Sequence, residues 1–232
     1  MLILNQLAAA GTTLSVSDSR RLLLLHCEGS DTSTTFTDSS VYGRTVTPQG
    51  DAQIDTDQYK FGSSSALFDG TGDYLSVPDA DVWEFDEDFT FDLWARPTDL
   101  SSGRLLFGQW TDATHGFRCG IYPTSGAIFF QIWDGVNVLN MTTSTGITAG
   151  AWNHIAVVKY GTSYKIYLDG TERASATSSA VLGNYTGVLA IGSGNGPEAG
   201  AAGRYLGHMD EFSISDLARW VDDFDPPTAA YS

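Results

Sequence analysis

The sequence predicts an all-β protein whose strands form an antiparallel sandwich or barrel. Short segments with apolar or alternating apolar and polar residues recur along most of the chain, as in half-buried strands. Turn signals such as "DGTGD", "TSG" and "GSGNG" separate these segments at short intervals. Many short strands with closely spaced turns are typical of antiparallel sandwiches. The candidate strands are Arg21–His26, Ala66–Phe68, Tyr74–Val77, Phe89–Ala95, Arg104–Trp110, Phe117–Tyr122, Ala127–Trp133, Trp152–Tyr160, Ser163–Leu168, Val188–Gly192 and Gly207–Ile214.

The clearest local element is a hairpin between residues 152 and 171. Ile155 and Val157 alternate with smaller or polar residues, a turn follows at Gly161–Ser163, and a second alternating segment ends at an Asp-Gly turn. The strongest helix candidate is short and lies around Ser215–Trp220.

The composition limits the classes of partner. The chain has 232 residues, 42% of them hydrophobic, which is sufficient for a large core. Its 28 acidic and 12 basic residues give a net charge of −16, which disfavours nucleic-acid binding. The sequence has no run of about 18 apolar residues, so we expect no membrane insertion. Cys27 and Cys119 are interpreted either as isolated buried thiols or as a disulfide between neighbouring strands.

The N-terminal segment differs from the rest of the chain. Residues 1–20 lack the aromatic residues found in every later strand pair, and they have no basic region typical of a signal peptide. We interpret residues 1–20 as an arm or an added edge strand, and residues 21–232 as one domain.

One motif resembles a catalytic pair. In "WEFDEDF", a strand would place Glu84, Asp86 and Asp88 on one face, and retaining glycosidases use two carboxylates that flank one bond. However, the clean alternation begins only at Phe89, so these residues are predicted to form an acidic loop before the strand. We therefore expect a protein that is not an enzyme, with a glycosidase using Glu84 and Asp86 as the alternative.

Other residues are candidates for binding. "HCEGSDTSTTFTDSS" places Glu28, Asp31 and Asp38 in an oxygen-rich stretch, which is either a calcium-binding loop or a solvated acidic loop. Trp110, Trp133 and Trp220 are either platforms for sugar stacking or core residues.

The segment "GHMDEFSIS" raises a separate question. Uninterrupted alternation places Asp210 on the same face as Phe212 and Ile214, which is the core face. A buried carboxylate without a partner costs several kcal/mol, so Asp210 is predicted to contact a cation or hydrogen-bond donors.

The order of several motifs resembles one known family. "LLLLHCEGSDTSTTFTDSS", "FGSSSALFDGTGDYLSVPD", "FTFDLWARP", "WNHIAVVKYGTSYKIYLDGT", "LAIGSG" and "GHMDEFSIS" together resemble the laminin-G-like, concanavalin A-like lectin/glucanase superfamily, in particular its pentraxin-related group. The resemblance implies a two-sheet antiparallel jelly roll and a non-catalytic binding module. It also implies a calcium site, whose ligands in this sequence would be Glu28, Asp38 and Asp210. Trp110 and Trp133 are the predicted ligand-binding residues.

The C-terminal sequence "ISDLARWVDDFDPPTAAY" resembles the ends of such domains in phage structural proteins. That resemblance implies a virion protein, either a capsid decoration or a tail or fibre component that contacts host glycans. Its predicted partners are virion proteins or further copies of itself, bound through the N-terminal arm. The alternative is a secreted bacterial carbohydrate-binding module, which would be extracellular.

Overall fold

The predicted fold class is confirmed: the chain is a two-sheet antiparallel sandwich. A computed structural model describes residues 20–194 and 203–232, which contain sixteen strands. The predicted arm therefore lies outside the described residues, except for Arg20. Sheet 1 consists of β1 (Arg21–Leu25), β4 (Gln53–Asp55), β5 (Ser65–Asp69), β7 (Phe89–Pro97), β12 (Asn153–Tyr160), β13 (Ser163–Leu168), β14 (Thr171–Thr177) and β16 (Leu206–Ser215). Sheet 2 consists of β2 (Phe36–Thr37), β3 (Thr45–Gln49), β6 (Tyr74–Val77), β8 (Arg104–Trp110), β9 (His115–Ile121), β10 (Ala127–Asp134), β11 (Val136–Gly146) and β15 (Leu189–Ile191).

The strand order brings distant parts of the chain together. Sheet 1 has the order β14-β13-β12-β7-β16-β5-β4, and β1 also pairs with β16. Sheet 2 has the order β11-β10-β9-β8-β15-β6-β3-β2. The strands β8, β9, β10 and β11 are consecutive neighbours, so their outward side chains form a continuous surface.

The main core lies between the two sheets. Phe91 of β7 stacks on Phe107 of β8, with 4.9 Å between the ring centroids and 9° between the ring planes. Cys27 and Cys119 are both buried and both free, which confirms the interpretation as isolated thiols. Among the described residues, no helix is long and apolar enough to cross a membrane.

Two local predictions are confirmed and one is wrong. The hairpin forms as β12 and β13, and β7 begins at Phe89 as expected. The predicted helix around Ser215–Trp220 is absent: Ser215 is the last residue of β16, and residues 216–220 form an irregular segment. Part of this backbone is bound by the Thr90 hydroxyl instead of by helical hydrogen bonds, since it donates to the Leu217 carbonyl (2.8 Å) and accepts from the Arg219 N–H (2.9 Å).

The outer face of sheet 1 is covered by the chain itself. Residues 216–232 pack across it, and Trp220 stacks on Phe224 with 4.1 Å between ring centroids. These two rings enclose the fully buried His154 at centroid distances of 5.6 and 5.7 Å. The loop before β5 covers another part of this face through Phe61, whose ring contacts Trp94 edge-on. Ligand binding on this face would require displacement of these segments.

Candidate functional site

The outer face of sheet 2 carries a group of aromatic and polar side chains. We call this surface the aromatic face and define it by the outward residues of β8–β11 and the residue after β9. Because paired residues of an antiparallel sheet lie on the same face, the pairing places them in rows. The rows are Trp110, Gly116 and Trp133; then Gly108, Arg118, Gln131 and Asn140; then Leu105, Gly120, Phe129 and Thr142; with Tyr122 beyond them.

The first row is a pair of tryptophans. The Trp110 and Trp133 rings lie 5.2 Å apart between centroids, at an angle of 42°, and both side chains are partly exposed. Gly116 lies between them, and a Cβ at this position would be only 2.4 Å from Cδ2 of Trp110. Glycine is required here for space, since it allows the indole to lie directly on the backbone.

A second pair of rings lies further along the same strands. Phe129 and Tyr122 are 4.7 Å apart between centroids, and 37% of Tyr122 is exposed. Gly120 repeats the role of Gly116, because its Cβ would be 2.5 Å from Cζ of Phe129. The face therefore carries two aromatic pairs. Trp133 and Phe129 are four residues apart on one strand, a spacing of roughly 13 Å.

A row of hydrogen-bonded polar side chains separates the two aromatic pairs. Arg118 Nε donates to Gln131 Oε1 at 2.9 Å, and Gln131 Nε2 donates to Asn140 Oδ1 at 3.0 Å. The Arg118 guanidinium lies 5.0 Å from the Trp133 ring centroid and 5.7 Å from that of Phe129. Burial lowers the pKa of Arg118 from its usual value, although the group remains a cation at neutral pH.

Carboxylates lie at the tryptophan end of the face. Asp112 accepts hydrogen bonds from the Thr114 and His115 N–H groups, at 2.7 and 3.0 Å. The pKa of this exposed carboxyl is lowered to about 2, first by the Thr114 N–H and then by the His115 side chain. Asp134 lies 3.8 Å from His115 and is largely exposed. This end of the face is therefore negatively charged at neutral pH.

This arrangement suits a ligand with both flat apolar faces and polar edges. The rings supply rigid apolar surface, and the polar row supplies oriented donors and acceptors. Sugar rings have that character, since their C–H groups form apolar faces and their hydroxyls project from the edges.

The predicted metal ligands Glu28, Asp38 and Asp210 are each bound to separate donors. Glu28 accepts from the Ser63 N–H (2.9 Å) and the Ser63 hydroxyl (2.7 Å). Asp38 accepts from the N–H groups of Leu24, Ser40 and Arg44 at 2.7–3.0 Å and from the Ser40 hydroxyl at 2.9 Å. These bonds hold the loops that follow β1 and precede β5.

Asp210 faces away from the core, contrary to the prediction. Met209 and Phe212 both belong to the core, although two residues lie between them and regular alternation would leave only one. The cause is a bulge in β16, where Glu211 adopts a φ of 50°. Asp210 therefore pairs opposite Trp94 on the outer face of sheet 1. The uniform alternation assumed from the sequence does not hold across this bulge.

The partners of Asp210 are backbone N–H groups. The sequence predicted either a cation or hydrogen-bond donors as its partner, and the structure shows donors. Its Oδ2 accepts from Lys60 (2.9 Å) and Phe61 (3.1 Å), and its Oδ1 accepts from Glu211 (2.8 Å). The side chain is fully buried, and burial raises its pKa to about 7 although the three donors act in the opposite direction.

The donor arrangement does not fit a single calcium ion bound by these three carboxylates. A cation would have to displace N–H groups that already occupy their oxygens. Within residues 20–194 and 203–232, no group of three or more His, Cys, Asp and Glu side chains is arranged to hold a metal ion. Calcium binding stays a prediction from the sequence.

The acidic segment before β7 is a loop, as predicted. Glu84 and Asp86 are exposed and line a cavity of about 370 Å³ with Tyr42 and Val82. Lys159 Nζ donates to the backbone carbonyls of Asp86 (3.0 Å) and Glu87 (2.9 Å) and not to their carboxylates.

The structure thus brings together Trp110 and Trp133 but not the three carboxylates. Sequence reasoning missed Arg118, Phe129 and Tyr122 as members of the same face. A signal was present in "HGFRCGIY", because every second residue from Gly116 onwards is in turn a glycine and a large side chain. Gly116 and Gly120 are the positions on which the rings lie.

A family model described as the concanavalin A-like lectin/glucanases superfamily matches residues 69–223, more than half of the chain. The matched region includes the whole aromatic face. A comparison of the sequence with curated proteins gives no match.

Several solved structures have a similar fold at low sequence identity. The binding domain of Paraclostridial Mosquitocidal Protein 1 is 15% identical, with a TM-score of 0.67 over 87% of this chain and 50% of that chain. Domain 4 of AbnA, an extracellular arabinanase from Geobacillus stearothermophilus in complex with arabinotriose, is 18% identical, with a TM-score of 0.66 over 86% and 93% of the two chains. The binding domain of botulinum neurotoxin DC in complex with SialylT is 13% identical, with a TM-score of 0.63 over 87% and 49%. The chain thus spans about half the length of the toxin chains, and these likenesses show a shared fold alone.

Proposed function

We propose, from the premise that the chain belongs to the concanavalin A-like lectin/glucanase superfamily, that it is a non-enzymatic glycan-binding module. The observation that carries this proposal is the Trp110–Trp133 pair, whose rings lie partly exposed on glycine backbone beside a hydrogen-bonded polar row. Rigid rings on a sheet need little reorganisation on binding, which favours affinity.

The comparisons support this class of function. Domain 4 of the arabinanase was solved with arabinotriose, and one toxin binding domain was solved with SialylT. Another similar structure concerns botulinum neurotoxin type C, whose cell entry depends on two ganglioside molecules. These relatives favour an extracellular carbohydrate-binding module over the virion protein implied by the C-terminal sequence. They give no support to the virion setting, which stays a prediction.

Truncation of the tryptophans tests the proposal. A glycan array identifies a ligand for the wild type, and calorimetry then compares Trp110→Ala and Trp133→Ala. We expect each change to weaken binding at least about tenfold, since truncated tryptophans are commonly the costliest positions of an interface. Trp152→Ala is the matched control, because Trp152 is also partly exposed but lies beside His208 on sheet 1.

The proposal fails if the wild type binds no glycan on a broad array. It also fails if the control variant weakens binding as much as the two variants of the aromatic face. If the wild type hydrolyses a polysaccharide and Glu84→Gln abolishes that activity, the protein is an enzyme whose catalytic residues lie in the acidic loop before β7.

A further inference from the structure

We propose that Arg118 selects glycans that carry a carboxylate, such as chains of uronic acids or sialylated sugars. The inference rests on the proposed function, because it names the ligand class of the same aromatic face. Arg118 would hold the carboxylate while neighbouring sugar rings lie on the aromatic pairs to either side.

The guanidinium of Arg118 has free hydrogen-bonding capacity. Its Nε donates to Gln131, and no carboxylate lies within 4.0 Å of it in the described parts of the chain. By contrast, Arg20, Arg104 and Arg219 each have an aspartate within that distance. The two terminal nitrogens of Arg118 therefore remain available as a planar fork.

The surroundings of Arg118 strengthen its interaction with an anion. The side chain is partly buried between the Trp133 and Phe129 rings, and burial lowers its pKa. Removal of water from a cation is unfavourable, and an anionic ligand group would compensate for it. A guanidinium and a carboxylate are both planar and form two parallel hydrogen bonds.

The overall negative charge of the chain argues against nonspecific attraction of anions as the cause of any preference for acidic glycans. The chain carries a net charge of −16, and Asp112 and Asp134 lie at the tryptophan end of the face. A glycan with several charges on each sugar, such as dextran sulfate, would be repelled there more strongly than one with a single carboxylate per sugar. The geometry therefore suits one carboxylate at Arg118 while the uncharged face of a sugar ring lies on the tryptophan pair.

The test compares each glycan acid with its own ester. Polygalacturonate, alginate and sialyllactose are each measured against the corresponding methyl ester, which keeps the sugar and removes the negative charge. We expect the wild type to bind at least one acid about tenfold or more tightly than its ester, because hydrogen bonds between charged groups are the stronger ones. Arg118→Gln should remove that difference, and Arg118→Lys should restore only part of it.

Arg173→Gln is the control, since it removes one positive charge from β14 in sheet 1. It should leave the preference for the acid unchanged. Thermal midpoints confirm that each variant folds. If Arg118→Gln does not fold, equal binding of acid and ester by the wild type still overturns the inference, and an undiminished preference in Arg118→Lys also overturns it.

Failure of this inference is distinguishable from failure of the proposed function. Equal binding of acid and ester, or tight binding of neutral glycans alone, overturns carboxylate selection and leaves the glycan-binding module intact. Tighter binding of dextran sulfate than of any carboxylated glycan also overturns it. The absence of binding to every glycan overturns both proposals.

Discussion

The substitution Asp210→Asn should change how stability depends on pH. Asp210 is fully buried in the bulge of β16, and its pKa is raised by burial from 3.8 to about 7. Because the folded state then holds this proton more tightly than the unfolded state, the stabilisation is complete below pH 3.8 and is lost as the pH rises towards 7.

The magnitude follows from the shift. Three pKa units correspond to about 4 kcal/mol of unfolding free energy between pH 3.8 and 7. The isoelectric point calculated from the sequence is about 4.3, so solubility limits measurements near pH 4. Between pH 5 and 7 the wild type should lose about 2 kcal/mol of unfolding free energy relative to the variant, because the carboxyl is only half titrated at pH 7.

Urea unfolding followed by tryptophan fluorescence from pH 5 to 8 measures this difference. The variant has a constant penalty, because its NH2 group replaces one of the two acceptor oxygens and faces at least one backbone N–H donor. This constant offset does not affect how the stability difference changes with pH. Contributions of Glu211 and His26, which are hydrogen-bonded to each other at 2.7 Å, largely cancel in the comparison. A difference that is flat across this range refutes the reasoning and shows that the three N–H donors keep the carboxylate ionised.

Four further predictions address other parts of the chain. Saturating calcium at 1,000 times its dissociation constant should add about 4 kcal/mol to stability if the three predicted ligands bind it, and an unchanged melting temperature on chelation contradicts the metal prediction. Glu84→Gln and Asp86→Asn should alter stability by no more than about 0.5 kcal/mol in urea titrations, because both side chains are exposed in the loop. Deletion of residues 1–19 should leave a folded domain that has lost oligomerisation, as measured by light scattering; an unfolded product would show that the arm is an integral strand. Gly116→Ala should cost about 1–3 kcal/mol and weaken glycan binding, because the new Cβ meets the Trp110 ring, and unchanged affinity by calorimetry would contradict that expectation.

Much of the sheet structure was predictable because its strands have one buried face. β12 and β13 alternate regularly, and their turn fixes the register, so the hairpin follows from the sequence. β11 was missed because its exposed positions are mostly polar, with Leu139 and Met141 among its few buried apolar residues. An edge strand of this kind provides little periodic signal.

The candidate site was only partly predictable. Trp110 and Trp133 were chosen as aromatic residues, yet their proximity depends on the register of β8, β9 and β10, which the sequence alone does not specify. The face of Asp210 was mispredicted for a related reason. A bulge adds one residue to a strand and exchanges the faces of all residues beyond it, and local composition did not indicate this one.

The position of β16 has a consequence for the synthesis of the chain. This strand lies between β7 on one side and β5 and β1 on the other, but it is the last strand in sequence. Roughly a hundred residues separate the end of β7 from the start of β16, so translation takes on the order of 5–20 s between them. During that interval the edges of β1, β5 and β7 that face β16 have no native partner, and such edges pair readily with other chains. The nascent protein is therefore most exposed to aggregation before β16 emerges from the ribosome, and slower initiation or bound chaperones would favour its correct folding.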